Sequence, residues 1–219
     1  PMVAANPKPP SLRPRSMFFR PGLDPHGLAH NPFKALVAPR PIGWIATLDA
    51  HGRANLAPYS FFNAIADDPP MVMYASSGRK VGRDEGKDTV ANIRATGEFV
   101  VNVVSFALRD AMNASSGHYP AGEDEFVRAG LTPAPSVVVT PPRVAEAPAA
   151  LECRAWNVID LPGAANTMVI GQVVGVHIDD AAIVEGKVDV TRYRPLARLG
   201  YRDYAAVEAV FPLRRPGEG

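Results

Sequence analysis

PRPIGWIATLDAHGRANLAPYSFFN, residues 39–63, reads as a buried β-hairpin that ends in an irregular polar elbow. From Ile42 to Leu48 the alternation sets Ile42, Trp44, Ala46 and Leu48 on one face of a strand. Asp49-Ala50-His51-Gly52 supplies the turn, its glycine able to take positive φ, and Arg53 to Tyr59 returns antiparallel. Pro58 has no N–H for a ladder, so the second strand is expected to leave the regular pattern near its end. Backbone groups around Ala57 and Ser60 are then free to meet a ligand edge, with Tyr59, Phe61 and Phe62 as nearby apolar surface.

Downstream of the hairpin, Asp67-Asp68-Pro69-Pro70 breaks the chain before a third strand, Met71 to Ala75. Ser76 and Ser77 end that strand with two hydroxyls, and Gly78 lets the backbone approach a bulky anion. Arg79 can take phosphate oxygens bidentately, while Lys80, Arg83 and Lys87 raise the local potential. Asp88 is expected to N-cap a helix that stops at Gly97, and Thr89 with the first helical amides would complete an anion cradle. Taken alone, a bulged strand end with core aromatics accounts for Asn55–Ser60, and a solvated charged loop accounts for 76–89. Side by side, an apolar slot with backbone hydrogen-bonding groups and a phosphate cradle suit flavin mononucleotide (FMN).

Beyond the helix, Glu98–Val104 reads as a fully buried strand and Ala107–Ser115 as a helix. Pro133–Pro148 carries five prolines and is a connector with at most an edge strand around Val137–Val139. Leu151–Leu161 and Met168–Asp179 are long strands, and Ala205–Phe211 a short last one. Strands with strong turn punctuation therefore predominate. A mainly β, antiparallel Greek-key barrel with a few short helices outside it is expected, rather than a doubly wound sheet.

The 219 residues suffice for one substantial core. Lys plus Arg number 23 against 22 acids, a net charge of +1 that argues against a charge-driven nucleic-acid surface. Apolar runs are strand-sized and interrupted, so no membrane-spanning helix is expected. A single cysteine, Cys153, excludes an internal disulfide and fits a reducing cytoplasm. Residues 1–16 hold five prolines and three basic residues and are read as a flexible arm or a cloning remnant, with one domain from 17 to 219. His26 and His30 have metal-like i, i+4 spacing, but Pro25 and Gly27 disfavour a helix there, and Asp179-Asp180 and Glu123-Asp124-Glu125 read as solvated turns rather than metal carboxylates.

Several segments in order resemble the flavin reductase-like family of FMN-binding split-barrel proteins. They are APRPIGWIATLDAHGRANLAPYSFFNA (38–64), DPPMVMYASS (68–77), KDTVANIRATGEFVVNVV (87–104), AMNASSGHYPAGEDEF (111–126), VIGQVVGVHIDD (169–180) and RPLARLGYRDYA (194–205). The resemblance implies that Asn55, Ala57, Pro58 and Ser60 line the isoalloxazine and ribityl, and that Ser76, Ser77, Arg79, Lys87 and Thr89 hold the phosphate. Thr47 and Asn63 are further candidates, and His177 is the residue to examine on the substrate side, without a catalytic role. It implies a homodimer in which the loop 113–126 approaches the other subunit's flavin. The extra acids Asp84 and Glu85 leave open which cation of the 78–86 loop reaches the phosphate. The implied activity is NAD(P)H:flavin oxidoreduction with hydride passing from nicotinamide to flavin N5, so that no protein residue is catalytic. A separate monooxygenase component could consume the reduced flavin. An FMN-binding electron carrier of the flavoredoxin kind is the alternative. FMN is expected over FAD, whose first phosphate the cradle would also accept, and no adenosine-binding motif separates NADH from NADPH.

Overall fold

A computed structural model describes residues 16–78, 87–117, 119 and 123–217. The chain divides into two units, 1–32 and 33–219. Within the first, the Arg20 guanidinium donates to both carboxylate oxygens of Asp24 (2.7 and 2.9 Å), and Leu28 N–H donates to His26 Nδ1 (3.1 Å).

The second unit opens with helix α1 (Phe33–Leu36), then β1 (Arg40–Pro41), β2 (Gly43–Leu48), β3 (Ala54–Tyr59), β4 (Phe62–Asp67) and β5 (Pro70–Ser76). Helix α2 (Asp88–Thr96) and β6 (Glu98–Val103) follow, then a 3-10 turn running into α3 (Arg109–Ser115), and α4 (Glu125–Ala129). A short pair, β7 (Pro133–Ala134) with β8 (Arg143–Val144), precedes the long hairpin β9 (Ala149–Leu161) and β10 (Asn166–Ile178). The chain ends through β11 (Ile183–Val184), β12 (Lys187–Val188), α5 (Val190–Tyr193), β13 (Leu196–Arg198) and β14 (Tyr204–Ala206).

Seven strands make one antiparallel sheet in the order β3-β2-β6-β9-β10-β5-β4. The sheet curls until its ends approach: the Tyr59 and Tyr74 rings, on β3 and β5, lie 4.6 Å apart, and Ala75 N–H donates to Phe61 C=O (2.7 Å). No ladder closes the gap between β3 and β5, which makes this a split barrel. A separate sheet, β1-β13-β14, stands beside it.

Because β2 and β6 are covered on both sides, alternation there separates two cores rather than inside from outside. Trp44, Ala46, Leu56, Val100 and Met112 pack in one; Ile45, Tyr74, Phe99, Val101 and Val169 pack in the other. Each fully buried side chain of this size contributes about 1.5–3 kcal/mol. The β9–β10 hairpin approaches Phe99 so closely at Gly171 that a Cβ there would lie 2.4 Å from its ring.

The hairpin 42–59 forms as expected, and the Asp49 carboxylate fixes its turn by accepting from His51 N–H and Arg53 N–H (2.8 and 2.9 Å). The end of the hairpin differs from expectation. Pro58 does not end the ladder: pairing runs through Trp44↔Pro58 to Gly43↔Tyr59, because β3 is an edge strand whose outer side needs no donor. Residues 137–139 form no strand, within the expectation of a connector with at most an edge strand: their amides go to a carboxylate. Glu152, wholly buried on β9, accepts from Val137, Val138 and Val139 N–H (2.7, 2.6 and 3.0 Å) and from His177 Nε2 on β10 (2.5 Å).

Candidate functional site

The site is a groove along the outer side of β3. Leu56 N–H points into it, donating to Glu125 Oε2 (3.2 Å), so by strand alternation Leu56 and Pro58 present their backbone outward while Ala57 faces β2. The outward amide is therefore that of Leu56, not Ala57 as the sequence indicated.

At one end of the groove a cavity of about 150 Å³ is lined by Asn55, Ala57, Pro58, Tyr59, Lys87, Asp88 and Thr89, together with Ser115, Ser116, Gly117, Tyr119 and Glu125. Lys87 Nζ sits 5.3 Å from the Tyr59 ring centroid; burial, then repulsion from Lys34, lowers its pKa. Thr89 donates its hydroxyl to Asn55 Oδ1 (2.8 Å), and Asn55 Nδ2 donates to Glu125 Oε1 (3.0 Å), so the Asn55 amide is clamped in one orientation. Ser76 is buried at the end of β5 and neighbours Tyr59, whereas Ser77 is exposed.

Asp88 does not cap α2. It is the first helical residue, the N-cap position belongs to Lys87, and no side chain caps the helix. Asp and Thr are adjacent and both cap-competent, so composition alone left the start of the helix one residue uncertain. Gly97 does terminate the helix, at φ 74°, with its N–H bonded to Ile93 C=O (2.8 Å).

A second cavity, about 200 Å³, continues the groove past Pro58 and Ser116, which line both. Its other walls are Ile42, Ser60, Met112, Asn113, Arg198 and Tyr204. Asn55, Ala57, Pro58, Ser60, Lys87 and Thr89 thus share one groove. Thr47 does not line it; it is fully buried and its hydroxyl accepts from Asn92 Nδ2 (3.0 Å), fastening α2 to β2. Asn63 is exposed on β4 and its Oδ1 accepts from Ala64 N–H (3.0 Å). His177 lies on β10 against Glu152, away from the groove lining. Arg79, with Lys80, Arg83, Asp84 and Glu85, lies outside the described residues.

Glu125, Arg198 and Tyr204 line the groove without having been assigned to it from sequence. Glu125 is half-buried and hydrogen-bonded rather than solvated, and burial, partly offset by Asn55, raises its pKa. Neither it nor Arg198 and Tyr204 carries a local signal, because each reaches β3 from a distant part of the chain. The loop 113–126, expected over a partner's flavin, brings Ser115, Ser116, Gly117 and Tyr119 onto the groove of its own chain.

The Lys87 end suits a phosphate. The Tyr59 hydroxyl is buried there, beside Thr89 and Ser76, and among the described residues it has no well-formed hydrogen bond; burial pushes its pKa up to about 12 against the pull of those hydroxyls. A buried phenol, a half-buried ammonium and a helix start whose N-cap residue, Lys87, makes no side-chain cap bond are together matched to an anion.

A split barrel with such a groove along its edge strand defines a flavin-binding class of proteins. The flavin reductase like domain model matches residues 36–197, and the chain belongs to the flavin reductase-like family. An uncharacterized protein of Aquifex aeolicus is 38% identical over 172 residues, 77% of this chain and 85% of that one. Nitrilotriacetate monooxygenase component B from Bacillus cereus superposes with a TM-score of 0.83 at 29% identity, covering 90% of this chain and 98% of that one. Flavoredoxin of Desulfovibrio vulgaris (Miyazaki F) shares the fold at 24% identity, with a TM-score of 0.70 over 91% of this chain and 98% of that one. Among the described residues, no helix is long and apolar enough to cross a membrane.

Proposed function

We propose that the chain binds FMN in the β3 groove and catalyses hydride transfer from NADH or NADPH to it, as an NAD(P)H:flavin oxidoreductase. The observation that carries the reading is the convergence of Lys87, Thr89 and the uncapped start of α2 on the orphaned Tyr59 hydroxyl. These groups would hold the phosphate, with Ser76, Ser77 and Arg79 as further candidates. Asn55, Ala57, Pro58 and Ser60 would line the rest of the flavin. When bound, FMN supplies hydride acceptance at N5. The protein's own part is orientation and the exclusion of water: the clamped Asn55 amide fixes one wall, and the segment from Ser115 to Gly117 with Tyr119 covers the opposite one.

Similarity to a monooxygenase component B supports a separate monooxygenase as consumer of the reduced flavin. Homodimerisation belongs to the same reading, and Trp156 and Val176, exposed on β9 and β10, offer apolar surface for it. One feature favours a second reading, an FMN-binding electron carrier: the loop and α4 crowd the groove, which narrows the room for nicotinamide. An anaerobic titration of the FMN-loaded protein with NADH, then NADPH, separates the two. Loss of the oxidised flavin band at a catalytic rate establishes the reductase and its preferred nicotinamide. A band that persists with both removes the reductase assignment.

A further inference from the structure

The groove has a cation at each end. Opposite Lys87, the second cavity holds Arg198, whose guanidinium donates to Tyr201 C=O (2.5 Å) and to the Tyr204 hydroxyl, and lies 4.4 Å from the Tyr204 ring centroid. These contacts fix the guanidinium without neutralising it. Of its five N–H groups, these bonds to described residues take two.

Its surroundings deepen the excess of positive charge. Arg198 stands directly across from Arg40 in the β1–β13 pair, and like charges facing each other across strands are destabilising. Arg40 is buried, and its guanidinium donates to the carbonyls of Lys34, Val37 and Leu199 rather than to an acid. Burial and the charge of Arg198 both lower its pKa. Among the described residues no carboxylate pairs with either arginine. A conflict of this kind, kept at the wall of a cavity, marks a place where a ligand supplies the missing charge.

We propose that Arg198, held by Tyr204, faces the N1–C2=O edge of the bound flavin and stabilises the negative charge that this edge carries after reduction. The inference rests on the FMN reading above and adds the direction in which the flavin lies. The two cavities adjoin, with Pro58 and Ser116 lining both, and neither alone reaches the size of a site for a drug-sized ligand. One extended ligand with its phosphate at Lys87 would bring its ring toward Arg198. In the reduction, the nicotinamide C4–H bond breaks and the N5–H bond forms with both electrons. The nicotinamide leaves oxidised, and the ring keeps one negative charge across N1–C2=O unless a solvent proton neutralises it.

The test is the midpoint potential of the FMN-loaded protein, measured against reference dyes across pH 6–9 for wild type, Arg198→Ala, Arg198→Lys and Tyr204→Phe. Arg198→Ala should weaken binding of reduced FMN about tenfold more than that of oxidised FMN, which lowers the potential by about 30 mV for two electrons. Arg198→Lys should recover most of that loss, and Tyr204→Phe should give a smaller shift of the same sign. In wild type, one proton should accompany two electrons, a slope of about 30 mV per pH unit. In Arg198→Ala the slope at low pH should approach twice that value, as the unshielded ring edge takes a second proton. A merely structural clamp on the turn 199–203 would weaken both redox forms equally and leave potential and slope unchanged, which overturns the proposal while FMN binding stands. Failure of the wild-type chain to bind FMN would overturn the functional reading and this inference together.

Discussion

Two polar regions of this molecule are buried to similar depth and built to opposite rules. Around Glu152, three consecutive main-chain amides and His177 converge on one carboxylate. Around Tyr59, a buried hydroxyl has no partner among the described residues and the N-cap residue Lys87 makes no side-chain cap bond; further along the groove, Arg198 faces another arginine. A satisfied network rigidifies the scaffold, because losing any member strands the rest in low dielectric. An unsatisfied one costs stability unless something completes it. The difference separates scaffold from site without reference to any relative.

The contrast breaks most visibly at Glu152. Glu152→Ala should cost about 3–5 kcal/mol, since it strands three amides and a histidine, and should lower the melting temperature by roughly 10 °C. FMN affinity per folded molecule should stay near wild type; a large loss of affinity with little loss of stability would reverse the assignment.

Acid titration sharpens the same point. Burial opposes ionisation of Glu152, but the His177 bond and the three amides outweigh it and hold the carboxyl down to about 2. A depressed carboxylate contributes stability above its unfolded pKa, near 4.5, and loses it as pH falls through its folded one. The stability gap between wild type and Glu152→Gln should therefore be fully open at neutral pH and close between about pH 4.5 and 2, by on the order of 3 kcal/mol. A gap independent of pH, followed by urea unfolding, would remove the charge from the account.

On the groove side the effects should move from stability to binding. Lys87→Ala should weaken FMN by about ten- to thirtyfold and riboflavin, which lacks the phosphate, by little, read by fluorescence titration. Equal losses for both ligands would remove the phosphate assignment. Tyr59→Phe should be smallest: it deletes an orphaned hydroxyl, so the ligand-free protein should gain up to about 1 kcal/mol while FMN binds a few-fold more weakly. Loss of stability in that variant would show that the hydroxyl already has a partner.

What the sequence made legible was local. The hairpin 42–59 carries its own turn chemistry in Asp49 and Gly52, and α2 ends where Gly97 provides a left-handed residue. The groove wall supplied by β3 and the cationic residues near α2 follow from neighbouring positions along the chain. Glu125 reaches Asn55 across 70 positions, and Arg198 arrives from a different sheet; no periodicity or turn signal encodes either meeting. Val137–Val139 has strand composition, yet its amides serve a carboxylate brought by β9, so tertiary hydrogen bonding overrode local propensity.

The bond from Trp44 Nε1 to Ser115 Oγ (2.8 Å) gives the protein an internal optical gauge. Trp44 is wholly buried while Trp156, the other of the chain's two indoles, is 66% exposed in the single chain, so where no partner subunit covers that face collisional quenchers reach only the second. The emission that survives quenching belongs to an indole tethered to the wall of the groove. Its colour and lifetime then register a shift of Ser115 in the unlabelled protein.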